Sequence, residues 1–152
     1  MQNVNRLKRK IRKILRKKNV VMLIDSRSVD INGLDRDMMK IRKVIDELGR
    51  LIAIKIFIEG NIEEPYIKKA LNEGWVPVIV PSDVDIYLAM ELTEYSFNKK
   101  ISSVLISTND VNLLPAMVVA KENGKKIFLV KFHEGENALD KIVDATIEPS
   151  LL

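Results

Sequence analysis

The stretch ISSVLISTNDVNLLPAMVVAKENGKKIFLV, Ile101–Val130, contains an apolar strand, a polar turn, an amphipathic helix and a second strand. Ile101 to Ile106 is short and rich in β-branched residues, which predicts a buried strand. Leu113, Leu114, Met117 and Val118 recur at helical spacing. Between them, STND brings Asp110 out at the carboxyl end of a strand and the mouth of a helix, where α/β sheets bind ligands. The expectation is a site acid at position 110, joined by other acids delivered in the same way.

Working outward, the same unit recurs. Val20–Ile24 is a continuous apolar run ending in Asp25, Leu51–Ile58 is a further strand broken by Lys55, and Val76–Val80 is another. One helix is predicted to begin near Asp35 as N-cap, with Leu34 and Met39 as a hydrophobic staple, and to stop at Gly49. Pro65 and Gly74 bracket a second helix over Tyr66–Glu73, and a third runs from about Asp83 to Phe97. Glu136 to Val143 reads as a last short helix and Ala145–Ile147 as a terminal strand. Strand and helix alternate throughout, which predicts an α/β fold: a parallel sheet with right-handed crossovers and helices on both faces.

With 152 residues, 47% hydrophobic and 30% charged, the chain has the material for one domain with a real core. It has no cysteine and a single histidine, His133, which excludes disulfides, thiolate catalysis and the usual zinc sites. Any metal is then held by oxygen, so Mg²⁺ or Mn²⁺ is the expected ion. No apolar run approaches the roughly 18 residues of a membrane span, and the first residues are too charged for a signal-peptide core. A cytoplasmic protein is expected.

The net charge of +4 conceals an asymmetry. Residues 1–18 hold nine cations (Arg6, Lys8, Arg9, Lys10, Arg12, Lys13, Arg16, Lys17, Lys18) and no acid. Over 19–152 that leaves 16 basic against 21 acidic residues, a net −5. A basic helix over 1–18 and one domain over 19–152 are therefore expected, with a polyanion as partner. Val4, Leu7, Ile11, Ile14 and Leu15 form an apolar stripe in the basic segment. This stripe docks on its own domain or on a second subunit of a homodimer, while the cations suit nucleic acid or an anionic membrane surface.

Asp25, Asp85 and Asp110 each follow an apolar strand directly or after a short turn, so a parallel sheet places them on one edge. Three carboxylates there repel one another unless a cation neutralises them. A hard divalent ion does so, and it also polarises phosphate and activates water, which points to metal-assisted phosphodiester hydrolysis. Each acid has a plainer reading as well. Ser82 to Asp85 and Ser107 to Asp110 have capping-box spacing, and Asp25 fits an Asx-turn. Arg27 and Ser28, beside Asp25, suit either phosphate contact or an ordinary turn. His133 reads as a loop residue and Trp75 as a packing anchor.

These residues resemble the NYN domain family, the PIN-like, ribonuclease-related domains that include LabA and DUF88 proteins, and especially its short archaeal members. VVMLIDSRS matches the family's opening strand and Asp-Gly-x-Asn, with Asp25 for the acid, Ser26 for the glycine and Ser28 for the asparagine. VDIYLAME supplies Asp85 and Glu91 for a Val-Asp-Val unit with an acid six residues on. TNDVNLLP matches Ser-Gly-Asp-Ser-Asp-Phe and proline, with Asp110 at the first acid and Asn112 at the second. Gly124-Lys125 leads into the closing strand, and the likeness spans 20 to about 148 in order.

The resemblance implies a three-layer, PIN-like (Rossmannoid) sheet of order 3-2-1-4-5 and a Mg²⁺- or Mn²⁺-dependent ribonuclease. Asp25, Asp85 and Asp110 would be metal ligands, directly or through water. Glu91 is a lesser candidate because six residues of helix turn it about 240° from Asp85. Asn112 coordinates through a carbonyl oxygen but brings no charge. The alternative is a non-catalytic RNA-binding or scaffold protein with a degenerate nuclease site. Neither G-x-G-x-x-G after a strand, nor a P-loop, nor D-x-D after the first strand occurs, so nucleotide-binding and aspartyl-phosphatase readings fall away.

Overall fold

Strand β1 (Asn19–Asp25) lies in the middle of the sheet in the computed structural model, because its sequence permits no edge position. Val20, Val21, Met22, Leu23 and Ile24 are each at most 1% exposed, so both faces of the strand are covered. Burial of side chains of this size contributes about 1.5–3 kcal/mol each. The residues described are 2–16, 18–60 and 64–152, with the backbone alone for 10–16.

On one side β1 pairs in parallel with β2 (Arg50–Glu59) and on the other with β4 (Ile101–Ser107). Beyond β2 lies β3 (Val76–Val80), and beyond β4 lie β5 (Lys126–Val130) and then β6 (Ala145–Ile147), all parallel. The order β3-β2-β1-β4-β5-β6 contains the implied 3-2-1-4-5 and adds the terminal strand at one edge.

Alternate residues of β1 feed two cores. Val20, Met22 and Ile24 join Leu34, Met38, Ile41 and Ile45 of α2 (Leu34–Leu48) and Ala70 of α3 (Glu64–Glu73). Val21 and Leu23 join Leu88 and Leu92 of α4 (Val84–Ser96) and Met117 of α5 (Leu114–Glu122). Right-handed crossovers put the helices on opposite faces once the strand order reverses between β1 and β4. Trp75 is buried in the core under α2 and α3, as a packing anchor should be.

Helix α1 (Gln2–Arg16) precedes the sheet, and residues 2–9 are all exposed. Val4 and Leu7 of the apolar stripe are therefore uncovered, while the side chains of Ile11, Ile14 and Leu15 lie outside the described residues. No described helix is long and apolar enough to cross a membrane.

Three local expectations are corrected. Helix α2 starts at Leu34 rather than behind an Asp35 cap, and Met39 is 69% exposed, so no staple forms. A 3₁₀ turn over Ile31–Gly33, capped by Asp30, runs straight into the helix and already engages the amides of Gly33 and Leu34. The Ser82–Asp85 capping box is absent too. Asp83 precedes α4 in the left-handed conformation (φ 54°, ψ 56°) without a side-chain cap, and the Ser82 hydroxyl donates to Asp83 instead. Lastly, the helix expected over Glu136–Val143 is only a 3₁₀ turn, Ala138–Lys141, since the chain must rejoin the sheet at Ala145.

Gly49 closes α2 where the chain passes against β1, with the Arg50 amide bonded to Lys18 O at 2.7 Å. A Cβ at Gly49 would overlap that carbonyl oxygen. The Gly49→Ala variant should thus lose about 1–3 kcal/mol by urea denaturation; an unchanged midpoint would show that this backbone approach tolerates a methyl group.

Candidate functional site

Beyond the carboxyl ends of β1 and β4 the strand order reverses, and the chain leaves these neighbours in opposite directions, opening a crevice. Asp25 ends β1, and Asp110 lies just past β4. Each heads an Asx-turn. Asp25 Oδ1 accepts the Arg27 amide at 3.0 Å and caps the 3₁₀ turn Ser26–Ser28. Asp110 Oδ1 accepts the Asn112 amide at 2.9 Å and caps Val111–Leu113. The turn fixes each carboxylate through one oxygen and leaves the other available across the cleft.

Both second oxygens face the guanidinium of Arg27. Its Nε donates to Asp25 Oδ1 at 3.0 Å and its Nη2 to Asp25 Oδ2 at 2.8 Å, a two-pronged pair. The same Nη2 is 3.8 Å from Asp110 Oδ2. The hydrogen bonds and charge of Asp25 raise the guanidinium pKa against the opposing effect of burial. The Asp25 side chain is 3% exposed and that of Arg27 45%, so the acid is the buried partner and the cation sits at the rim. Together with Ser28, Asn109 and Val111 these residues line a cleft of about 370 Å³.

The third acid joins indirectly. Asp85, in the first turn of α4, accepts a hydrogen bond from Asn112 Nδ2 at 3.0 Å. Asn112 therefore links Asp85 to Asp110 and supplies a donor where an acid would add repulsion. Glu91 lies elsewhere: it pairs with Lys55 of β2, whose Nζ is 5.5 Å from the Tyr95 ring centroid. Its rotation away from Asp85, expected from helix geometry, is what the structure has.

Residues around the acids tie the two strands together. Ser28 Oγ lies 2.7 Å from Asp25 O and 2.7 Å from Ser107 Oγ, so this buried hydroxyl is committed to joining the ends of β1 and β4 rather than to phosphate. Ser26 is also buried, and its hydroxyl has no partner among the described residues. Thr108, which the sequence reading passed over, accepts the Asp110 amide at 3.1 Å and places its Oγ1 3.5 Å from Asp25 Oδ2. Asn137 was missed as well. Its side chain reaches Thr108 O at 2.9 Å, and with Asp140 it forms a capping box whose i, i+3 spacing was legible in the sequence. His133 lines a neighbouring recess with Lys131 and Asn137, outside the acid cleft.

Among the basic candidates, Arg6, Lys8, Arg9 and Lys18 are exposed. The side chains of Lys10, Arg12, Lys13, Arg16 and Lys17 lie outside the described residues.

The donor set fits a hard cation in a reduced form. The cluster of three acids is not assembled: among the described residues, no three His, Cys, Asp or Glu side chains are grouped closely enough to hold a metal. Two carboxylates do converge on one cationic group, and Mg²⁺ commonly takes one or two carboxylates, with water and phosphate completing its shell. In the structure that group is the Arg27 guanidinium.

Fold and cleft together define a parallel α/β protein with a cleft at the strand-order reversal where Asp25 and Asp110 face Arg27. No protein-family model matches the chain. It is similar to an uncharacterised protein of Methanocaldococcus jannaschii, 31% identical over 140 residues, which is 91% of this chain. The chain spans 58% of that relative's length. Two solved structures show a distant likeness. A Sir2 enzyme superposes with a TM-score of 0.45 and 12% identity over 92% of this chain and 90% of its own. Homoserine dehydrogenase of S. aureus gives 0.43 and 9% over 89% of this chain and 33% of its own.

Removing the internal cation should leave the buried Asp25 charge uncompensated. In metal-free buffer, Arg27→Gln should lose about 1–3 kcal/mol, less than for a fully buried pair because solvent screens the half-exposed guanidinium. Chemical denaturation reads this directly, and a midpoint equal to wild type would show that Arg27 does not neutralise Asp25.

Proposed function

We propose that the chain is a Mg²⁺- or Mn²⁺-dependent ribonuclease of the NYN, PIN-like kind, acting in the cytoplasm. One observation carries this reading: Asp25 and Asp110, from strands distant in sequence, converge on a single cationic group at the sheet's carboxyl edge. Asp25 and Asp110 would hold the ion, which when bound polarises a phosphate and makes water a better nucleophile. The chain's own residues do the rest. Asn112 holds Asp110 through its amide and Asp85 through its side chain, and Thr108 and Ser28 fix the separation of the two strand ends. Arg27, at the rim, pairs with a phosphate once its place between the acids is taken. The cations of α1 supply salt-sensitive affinity for the RNA backbone. Aromatic residues make up only 5% of the chain, so stacking platforms and sequence specificity are not expected.

A second reading, a non-catalytic RNA-binding protein with a degenerate nuclease site, is favoured by the guanidinium already seated between the acids and by the amide at Asn112. Incubation of single-stranded and structured RNA with the full chain and Mn²⁺ separates the two. Cleavage lost in Asp25→Asn and Asp110→Asn, and enhanced in Asn112→Asp, is the expected result. RNA binding without cleavage in any of them, abolished by deletion of residues 2–16, would overturn the enzyme in favour of the second reading.

A further inference from the structure

The helices α4 and α5 are apolar on two sides. Leu88, Leu92, Met117 and Ala120 face the sheet and are fully buried. On the outer side, Ile86 and Met90 are more than half exposed, and with Pro115 and Val119 they line a groove of about 720 Å³ between the two helices. A helix apolar on all sides is ordinarily covered on all sides. Acidic residues mark the two ends of this groove, Asp85 at the start of α4 and Glu94 near its end.

Elsewhere the same chain carries a segment of matching character. Helix α1 bears a stripe at helical spacing, of which Val4 and Leu7 are exposed, and residues 1–18 hold nine cations without an acid. The remainder of the chain is net −5. At 1.5 Å per residue α1 is about 22 Å long and α4 about 20 Å, so one lies along the other.

We propose that the groove between α4 and α5 receives helix α1 of a second copy of this chain. Its own helix does not fill the groove: Val4 and Leu7 of α1 and Ile86 and Met90 of the groove are all exposed within the one chain. Reciprocal docking of two such helices closes a two-fold dimer. Asp85 and Asn112 line the groove, and Asn112 also donates its amide to Asp110 of the acid cleft, so the partner's helix would set its cations beside a carboxylate linked to that cleft. The docking itself rests on groove and helix alone, not on the ribonuclease reading.

Absence of cysteine makes the test clean. Full-length Leu7→Cys and a size-tagged Met90→Cys, mixed and mildly oxidised, should give a mixed disulfide of the two chains. The untreated protein should scatter light with twice the mass of one chain, and Met90→Lys should return it to monomer. A Leu7→Cys/Met90→Cys double variant that links only within one chain would overturn the proposal, as would an absence of linkage together with a monomeric wild type.

Discussion

A carboxylate buried at the end of a central strand requires a cation, and this requirement organises the functional edge of the molecule. Asp25 is 2% exposed, at the point where β1 leaves an apolar sheet. Charge in such a place is tolerated only when paired and hydrogen-bonded. The pairing comes from a residue two positions away, because the Asx-turn that begins at Asp25 folds the Arg27 side chain back onto it. Without the turn, the guanidinium would leave with the loop.

The rest of the cleft extends from that pair. Parallel pairing of β1 with β4 brings Ile24 level with Ser107, which sets the Asp110 loop beside the Asp25 loop. A second Asx-turn holds Asp110 with one oxygen toward Arg27. Asn137, from the turn before β6, braces the loop from behind through Thr108 O. The architecture thus reads as one repeated device, a strand that ends in an Asx-capped 3₁₀ turn, used where the strand order reverses. Capping and site-building are the same interaction at Asp25 and Asp110.

What the sequence made legible follows the range of the interactions involved. Continuous apolar runs located β1 and β4 to within a residue or two, since buried parallel strands carry that pattern in themselves, and they located β3 too, although it is an edge strand with Val76 and Ile79 exposed. The placement of Asp25 and Asp110 at or just past strand ends was legible for the same reason. Less legible were features decided by a distant partner. Asp85 is satisfied by Asn112, and Glu91 by Lys55 on another strand, neither of which periodicity reveals. Arg27 was weighed as a phosphate contact, but its pairing with Asp25 depends on the conformation of a three-residue turn. The start of α2 was misplaced because a 3₁₀ turn capped by Asp30 competes with an ordinary N-cap at Asp35.

The cleft therefore holds one positive charge between two fixed carboxylates, and its function turns on whether a divalent ion can take the place of the guanidinium. Titration of the full chain with Mn²⁺, followed through the electron paramagnetic resonance signal of the free ion, measures this directly. One saturable site is expected in the wild type, tighter in Arg27→Gln and lost in Asp110→Asn. No saturable binding in either the wild type or Arg27→Gln, or binding indifferent to both substitutions, would contradict a cation site between Asp25 and Asp110.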